Sequence, residues 1–394
     1  MKILITNHFP LSGSGSGIYV KNIANALVRK GHEVCIIFPE NSTKHIILEN
    51  IKTHSVYFKD IEQIEGQMDF NFPCFSIHPR SSHRFRHTSV EEMKLYEHAF
   101  KEAIEEEIKK FKPDLIHAQH LGVITAIAGR YDIPIITTCH GSELIEYAEV
   151  PSLLKYGREA FECSKKVIAV SKHSEKDIDK TFGLGKTIMI PNGYDSEVFY
   201  KDLDSKEEVL KGFGIQKQYN KIVGFAGKLT LNKGIDILLK AAKIYEKNNI
   251  LTLIAGNGNQ YEELKKLKKA LGLENVVFVG EQTQESLRRI YTISDVSVVP
   301  SRQEAFGLVA LEAIACGTPV IASNEGGLPD FITEQVGILV EKEKSEKFAE
   351  AIINVLGNEK EFNSQYLQKY ALENYSQELL IDKLIRGYEE IRLI

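Results

Sequence analysis

Short apolar runs rich in Val, Ile, Leu and Phe alternate with amphipathic helical stretches from one end of this chain to the other. No other feature constrains the fold as much. Strands buried on both faces belong to parallel sheets, and parallel strands need crossover helices to bring the chain back. The first half offers six such runs (KILITN, EVCIIF, DLIHA, PIITTC, KVIAV, TIMIP), and the second half offers six more (KIVGFAG, LTLIAG, VVFVG, VSVVP, PVIAS, GILV). With 394 residues, 43% hydrophobic and 26% charged, the chain is too long for one ordinary core and too apolar for disorder. Two doubly wound α/β units are predicted.

Between the two series lies PNGYDSEVFYKDLDSKEEVLKGFGIQKQYN, which is polar, rich in turn residues and without a buried-strand run, so a linker is placed near residues 195–219. The first domain is drawn as residues 1–196 and the second as 197–375. The final stretch, 376–394 (SQELLIDKLIRGYEEIRLI), spaces its apolar positions at three and four. It is expected to form a helix that returns to the first domain. Open parallel sheets bind ligands beyond the carboxyl ends of their strands, so two such domains facing each other would share a central cleft.

The formal net charge of −5 gives no general attraction for nucleic acid and none is predicted as a partner; a small-molecule or polar substrate fits better. Five dispersed cysteines, with no C-x-x-C pair, indicate neither a disulfide framework nor a zinc site. No stretch approaches the roughly 20 apolar residues of a membrane span, and the N-terminus begins as a strand rather than as a leader. The expected location is the cytoplasm, with the inner face of the membrane as an option.

Four segments can carry chemistry. SGSGSG, at 12–17, stands between the first strand and a helix, where free N–H groups and a helix dipole favour an anion; a plain flexible turn is the competing reading. It lacks the G-x-G-x-x-G spacing and the Lys-Ser/Thr ending, which disfavours hydride transfer and ATPase chemistry. In PSRQEAFGLVALEAIACGTPVIAS, Glu304 and Glu312 stand eight residues apart, and a helix starting near Phe306 or Gly307 would set Glu304 beside the N–H groups of 306–309. The run around Glu312 is too apolar for a solvated helix, so Glu312 is expected to be a buried charge needing a partner. GFAGKLTLNKGIDILLKAA carries Lys228 and Lys233 in a strand-to-helix loop, able to neutralise a diphosphate or simply solvated. TTCHGSEL and DLIHAQH put His140, His117 and His120 after strands, where structural roles compete with sugar contacts.

A fifth stretch breaks the alternation. FPCFSIHPRSSHRFRHTSVEEMKLYEHAF holds His78, Arg80, His83, Arg84, Arg86 and His87 within ten residues. It is read as a basic surface for an anionic or membrane-bound acceptor, or else as a solvated loop.

Together, SGSGSG, DLIHAQH, TTCHGSE, KVIAVSKHSEKDI, IPNGYDSEVF, GFAGKLTLNKGIDILL, LIAGNGNQYEELKKL, VVFVGEQTQESL, DVSVVPSRQEAFGLVALEAIACGTPVIAS and EGGLPDFI resemble, in order, the family-4 retaining glycosyltransferases of the GT-B fold. The resemblance spans nearly the whole chain. It implies a nucleotide-sugar donor held mainly by the second domain and an acceptor held mainly by the first. It implies that Glu304 contacts the donor sugar and Glu312 the ribose, with the backbone of Phe306, Gly307, Leu308 and Val309 on sugar and phosphate. Lys228 and Lys233 match the basic pair on the diphosphate, Gly15 and Ser16 the loop that closes over it, and His140 the histidine near the sugar's primary hydroxyl. The base is expected beyond Gly280. Two positions depart from the family pattern: Lys228 stands where arginine is usual, and Ser14 precedes Gly15 where a glycine pair is common.

The resemblance also implies retaining transfer of a hexosyl or N-acetylhexosaminyl group, with a UDP-sugar favoured, no cofactor and no metal. A GDP-mannose-dependent mannosyltransferase and a catalytically silent sugar-nucleotide-binding scaffold are the alternatives, and an epimerase or phosphorylase fits less well. His78, Arg80, Arg84 and His120 are expected to line the acceptor, which is anionic or lipid-linked on this reading. Peripheral association with a membrane surface is compatible with it.

Overall fold

The computed structural model describes residues 1–42, 48–59, 66–76, 78–357 and 361–393. The chain divides into two compact units, one made of Met1–Pro191 with Leu380–Ile394 and the other of Asn192–Leu379.

The first unit holds seven strands: β1 (Lys2–Thr6), β2 (Glu33–Glu40), β3 (Ile51–Tyr57), β4 (Leu115–Gln119), β5 (Ile135–Cys139), β6 (Lys166–Ala169) and β7 (Thr187–Met189). They form one sheet in the order β3-β2-β1-β4-β5-β6-β7, parallel throughout. The central strands β4 and β5 are buried at every position, as their unbroken apolar character requires. β3 has no counterpart among the expected strands. In its sequence IKTHSVY, at a sheet edge, only Ile51 and Val56 are buried, so it lacks the apolar run that betrays a central strand.

The second unit holds β8 (Lys221–Ala226), β9 (Ile250–Ala255), β10 (Val276–Gly280), β11 (Val296–Val299), β12 (Val320–Ser323) and β13 (Gly337–Val340). The order is β10-β9-β8-β11-β12-β13, again parallel. In each sheet the strand order reverses once, between β1 and β4 in the first and between β8 and β11 in the second. Helices leave to opposite faces at that point and open a crevice at the carboxyl ends.

The passage read as a linker contains a helix, Lys206–Gly212, capped by Ser205 and anchored by buried Val209 and Leu210. Two apolar positions are too few to show a period in the sequence. The C-terminal helix Gln377–Arg392 belongs to the first unit from Leu380 onward. Its Ile381, Leu384, Tyr388 and Ile391 are buried in one cluster with Ile3, Ile5, Ile36 and Ile136 of the sheet. The Tyr388 hydroxyl and His117 Nδ1 are hydrogen-bonded at 2.7 Å inside that core. Among the described residues, no helix is long and apolar enough to cross a membrane.

Candidate active site

In the second unit the expected residues gather at the strand-order reversal. The loop after β8 carries half-buried Lys228 and, in a short turn at Leu231–Lys233, Lys233. The loop after β11 carries Glu304. The Lys233 ammonium lies 2.6 Å from Glu304 Oε2, and Ser301 Oγ donates to the same oxygen at 3.1 Å. Two residues 71 positions apart in sequence thus form an ion pair in a partly desolvated site.

The backbone around Glu304 is held by a close approach that only glycine permits. A Cβ on Gly326, whose φ is +58°, would sit 1.7 Å from the Glu304 carbonyl oxygen, and the Gly327 N–H donates to that oxygen at 3.1 Å. The helix expected from Phe306 or Gly307 begins instead at Leu308 and runs to Ala315. Gly307 is its N-cap with φ +106°, outside helical space, which sets the start two residues after buried Phe306. The Phe306 ring packs on Phe331 at 5.0 Å, so its side chain anchors the turn. The Gly307 carbonyl accepts from the N–H groups of Ala310 and Leu311, and helix geometry leaves those of Leu308 and Val309 unclaimed by the helix. Glu304 therefore stands just ahead of a positive helix end.

Glu312 lies just over one turn along the same helix and is partly buried. Its partner is not a cation but the Tyr291 hydroxyl, which donates at 3.3 Å. Desolvation outweighs that one bond and pushes the carboxyl up to about 8. It is mostly protonated at neutral pH.

In the first unit, Ser14 caps the helix Gly15–Arg29 by accepting from Gly17 N at 3.0 Å. The serine that departs from the usual glycine pair thus has a structural task. Gly15 is exposed and Ser16 is buried in the first turn. Around the other side of the strand-order reversal, His140 follows β5. Its Nε2 is hydrogen-bonded to Gln119 Oε1 at 3.0 Å, and its ring stands against those of Tyr19 at 5.2 Å and His120 at 4.7 Å. Burial, reinforced by His120, lowers its pKa to about 3, so the imidazole is neutral.

Glu143, fully buried, accepts from His120 Nδ1 at 3.0 Å, His140 N at 3.1 Å and Leu121 N at 3.3 Å. Burial opposes its charge, but His120 and these donors prevail and hold it ionised, at about 2. His120 adopts left-handed backbone, φ +69°, and its Nε2 has no partner among the described residues. Gln119 and Glu143 complete this cluster. The trace Glu143 leaves in sequence is its place three residues after His140, and that of Gln119 is its place just before His120 in DLIHAQH.

The basic stretch is corrected by the structure, for it is neither an open cationic surface nor a solvated loop. Arg84 Nη2 donates to the Phe75 carbonyl at 2.8 Å and to Glu146 at 2.5 Å, and Arg86 grips Glu146 and Glu149. Arg80 Nη1 donates to Glu40 at 2.5 Å, and His83 is hydrogen-bonded to Thr88 at 3.1 Å. His78 is buried, with Nε2 donating to the Ser12 carbonyl at 3.1 Å and Nδ1 accepting from Arg80 N at 3.1 Å. Its role is to brace the glycine-serine loop. The reason lies in Glu40, Glu146 and Glu149, far away in sequence, whose carboxylates neutralise the cluster.

Comparison with known proteins places the chain in a family. Residues 206–373 match the family described as Glycosyl transferases group 1, and residues 13–198 match Glycosyltransferase Family 4. An uncharacterised glycosyltransferase of Methanocaldococcus jannaschii is 34% identical over 57% of this chain and 60% of its own, so the match spans less than two thirds of that relative. The N-acetyl-α-D-glucosaminyl L-malate synthase of Bacillus anthracis is 26% identical over 99% of this chain and 96% of its own. Among solved structures, sucrose-phosphate synthase from Thermosynechococcus elongatus superposes with a TM-score of 0.81 at 21% identity, covering 99% of each chain. With two family matches that together take in most of the chain and a shared two-unit parallel α/β fold, the protein belongs to the family-4 glycosyltransferases of the GT-B fold.

Proposed function

We propose that the protein moves a hexosyl or N-acetylhexosaminyl group from a nucleotide sugar to an acceptor hydroxyl with retention at the anomeric carbon, and that the donor is a UDP-sugar. The observation that carries this is the Lys233–Glu304 pair at 2.6 Å beside the start of the helix Leu308–Ala315. A carboxylate there can accept from sugar hydroxyls. The lysine and the N–H groups of Leu308 and Val309 can receive the negative charge that develops on a departing diphosphate. Lys228 joins Lys233 in that role as a point charge without a guanidinium fork.

The glycosyl–phosphate bond lengthens through an oxocarbenium-like state while the acceptor hydroxyl approaches from the same face. The acceptor proton passes to the leaving phosphate oxygen, so no side-chain nucleophile is needed. On the family resemblance, Gly15 and Ser16 are assigned to the diphosphate and neutral His140 to hydrogen bonding with the sugar. No metal and no resident cofactor enter this scheme. The name of the Bacillus anthracis relative includes an N-acetylglucosaminyl group, which supports an N-acetylhexosamine donor. Free cysteines throughout, four of them buried, suit a reducing cytoplasm, with the membrane face as the alternative setting for a lipid-linked acceptor.

The test is a thermal-shift series with UDP, GDP, ADP and their sugar conjugates, followed by NMR of the product's anomeric configuration. A ligand at a hundred times its Kd stabilises by about 2.7 kcal/mol. A selective UDP response and a retained anomer are expected, with turnover undiminished by a chelator. Glu304→Ala should lower turnover by about a hundredfold or more. Selectivity for GDP would transfer the reading to a mannosyl donor, and no response to any nucleotide would leave a silent scaffold. A fully active Glu304→Ala protein would remove the residue assignment.

A further inference from the structure

The loops that meet at the candidate active site after β8 and β11 are pinned to each other by an arginine. Arg302 stands two residues before Glu304, and a guanidinium has five N–H groups to place. All of them are taken. Nε donates to Glu343 Oε1 at 2.5 Å and Nη2 to Glu343 Oε2 at 3.0 Å, while Nη1 and Nη2 donate to the two Asp236 oxygens at 2.8 and 2.9 Å. The remaining Nη1 hydrogen goes to the Leu231 carbonyl at 2.7 Å. Two carboxylates are thus held in paired geometry by a side chain that is 18% exposed. With no donor left for a phosphate, Arg302 cannot supply the guanidinium fork that Lys228 lacks.

Its contacts lead instead to Lys233. The Leu231 carbonyl also accepts from Gly234 N at 3.1 Å, so both of its lone pairs are used and the Leu231–Lys233 turn is fixed from two sides. The Arg302 N–H donates to the Asn232 carbonyl at 2.7 Å, and Asn232 Nδ2 donates to Gln303 Oε1 at 3.1 Å. A Cβ on Gly234 would sit 2.0 Å from the Pro300 carbonyl oxygen, so the two loops also touch along their backbones. Asp236, in the first turn of the helix Ile235–Tyr245, is three residues after Lys233 and already engaged by Arg302. Glu343 follows β13 with left-handed backbone, φ +66°, a conformation costly for such a side chain. It persists only where contacts enforce it, and the half-exposed Glu343 carboxylate gives both oxygens to Arg302.

We propose that Arg302 is a positioning residue for the transfer reaction: held by Asp236 and Glu343, it fixes the turn that carries Lys233 and thereby sets where that ammonium meets Glu304 and the donor's diphosphate. This rests on the transferase reading and adds to it a residue that touches no substrate. A lysine stem is flexible, so the Lys233 ammonium keeps its 2.6 Å contact with Glu304 only while the backbone beneath it is held.

Calorimetry of the full chain with UDP and with uridine, which lacks the diphosphate, tests the role. Arg302→Lys keeps the charge but loses both paired grips, and should weaken UDP at least about tenfold while changing uridine by less than about twofold. In a Lys233→Met background the same substitution should alter UDP affinity by no more than about twofold, because the group it positions is gone. A parallel loss of uridine and UDP, full additivity with Lys233→Met, or wild-type UDP affinity in a folded Arg302→Lys protein would each overturn the proposal. Should Arg302→Lys fail to fold, Glu343→Gly takes its place: it relieves the left-handed backbone, frees one side of the clamp, and should weaken UDP in the same selective, non-additive way. GDP and ADP, each beside its nucleoside, are titrated into the wild type first. Preference for any diphosphate over its nucleoside upholds the transferase reading and supplies the probe where UDP is not the one bound. Silence with all three sinks that reading and the proposal together, whereas binding without coupling to Lys233 sinks the proposal alone.

Discussion

At Glu312 burial outweighs the single hydroxyl donor and lifts the pKa from its ordinary 4.5 to about 8. Between those values the folded state keeps a proton that the unfolded chain gives up, so wild-type stability falls as pH rises through the window. Glu312→Gln removes that dependence. Its melting temperature should exceed that of the wild type at pH 9, with the difference closing towards pH 5; a difference that stays constant with pH would show that the carboxyl titrates normally. If the carboxylate accepts ribose hydroxyls, UDP binding at pH 7 should also release close to one proton, readable by calorimetry in buffers of different ionisation enthalpy.

At the scale of the element, the helix Leu308–Ala315 is placed by backbone contacts rather than by its own caps. Gly326→Ala would drive a methyl group into the Glu304 carbonyl and should destabilise the protein by about 3 kcal/mol or more, measured by urea unfolding. Ser14→Ala offers the contrast. It removes one side-chain cap from the helix Gly15–Arg29 and should cost only about 1 kcal/mol, with the loop itself preserved. Equal losses in the two variants would mean that the close approach at Gly326 relaxes freely. The edge strand β3 and the helix Lys206–Gly212 belong to the same scale, since both form because neighbours bury part of them rather than through strong patterns of their own.

Across the whole molecule, titratable groups are unevenly divided. All 12 histidines fall in Met1–Pro191 and none in Asn192–Leu379. His117 and His140 are held by burial at about 3, and His8 is lowered well below 6.5, first by burial and then by His120. The unfolded chain binds protons there before the folded one does, so their neutral burial adds stability above about pH 6.5 that is lost as pH falls towards 3. Glu143 adds a second loss lower down, as pH falls from the ordinary 4.5 through about 2. Hydrogen exchange read by mass spectrometry from pH 7 to pH 5 should therefore show Met1–Pro191 opening before Asn192–Leu379; simultaneous opening would contradict it. Tyr388→Phe, which breaks the buried bond to His117, should destabilise the same unit by about 1–2 kcal/mol and leave exchange in Asn192–Leu379 unchanged.

From the sequence alone came the two parallel sheets, the returning C-terminal helix and the positions of Glu304, Glu312, Lys228, Lys233 and His140, because apolar runs and strand-end motifs are local properties of the chain. The pairing of Lys233 with Glu304, the hydroxyl rather than cationic partner of Glu312, and the clamp of Glu143 by His120, His140 and Leu121 were not legible there. The basic stretch shows the physical reason most plainly. In sequence, Arg80, Arg84 and Arg86 are equivalent cations a few residues apart. Folding brings Glu146 to two of them and Glu40 to the third, by one nitrogen only. Charge is written in the residue type, but whether it is already neutralised depends on carboxylates that only the tertiary structure brings near.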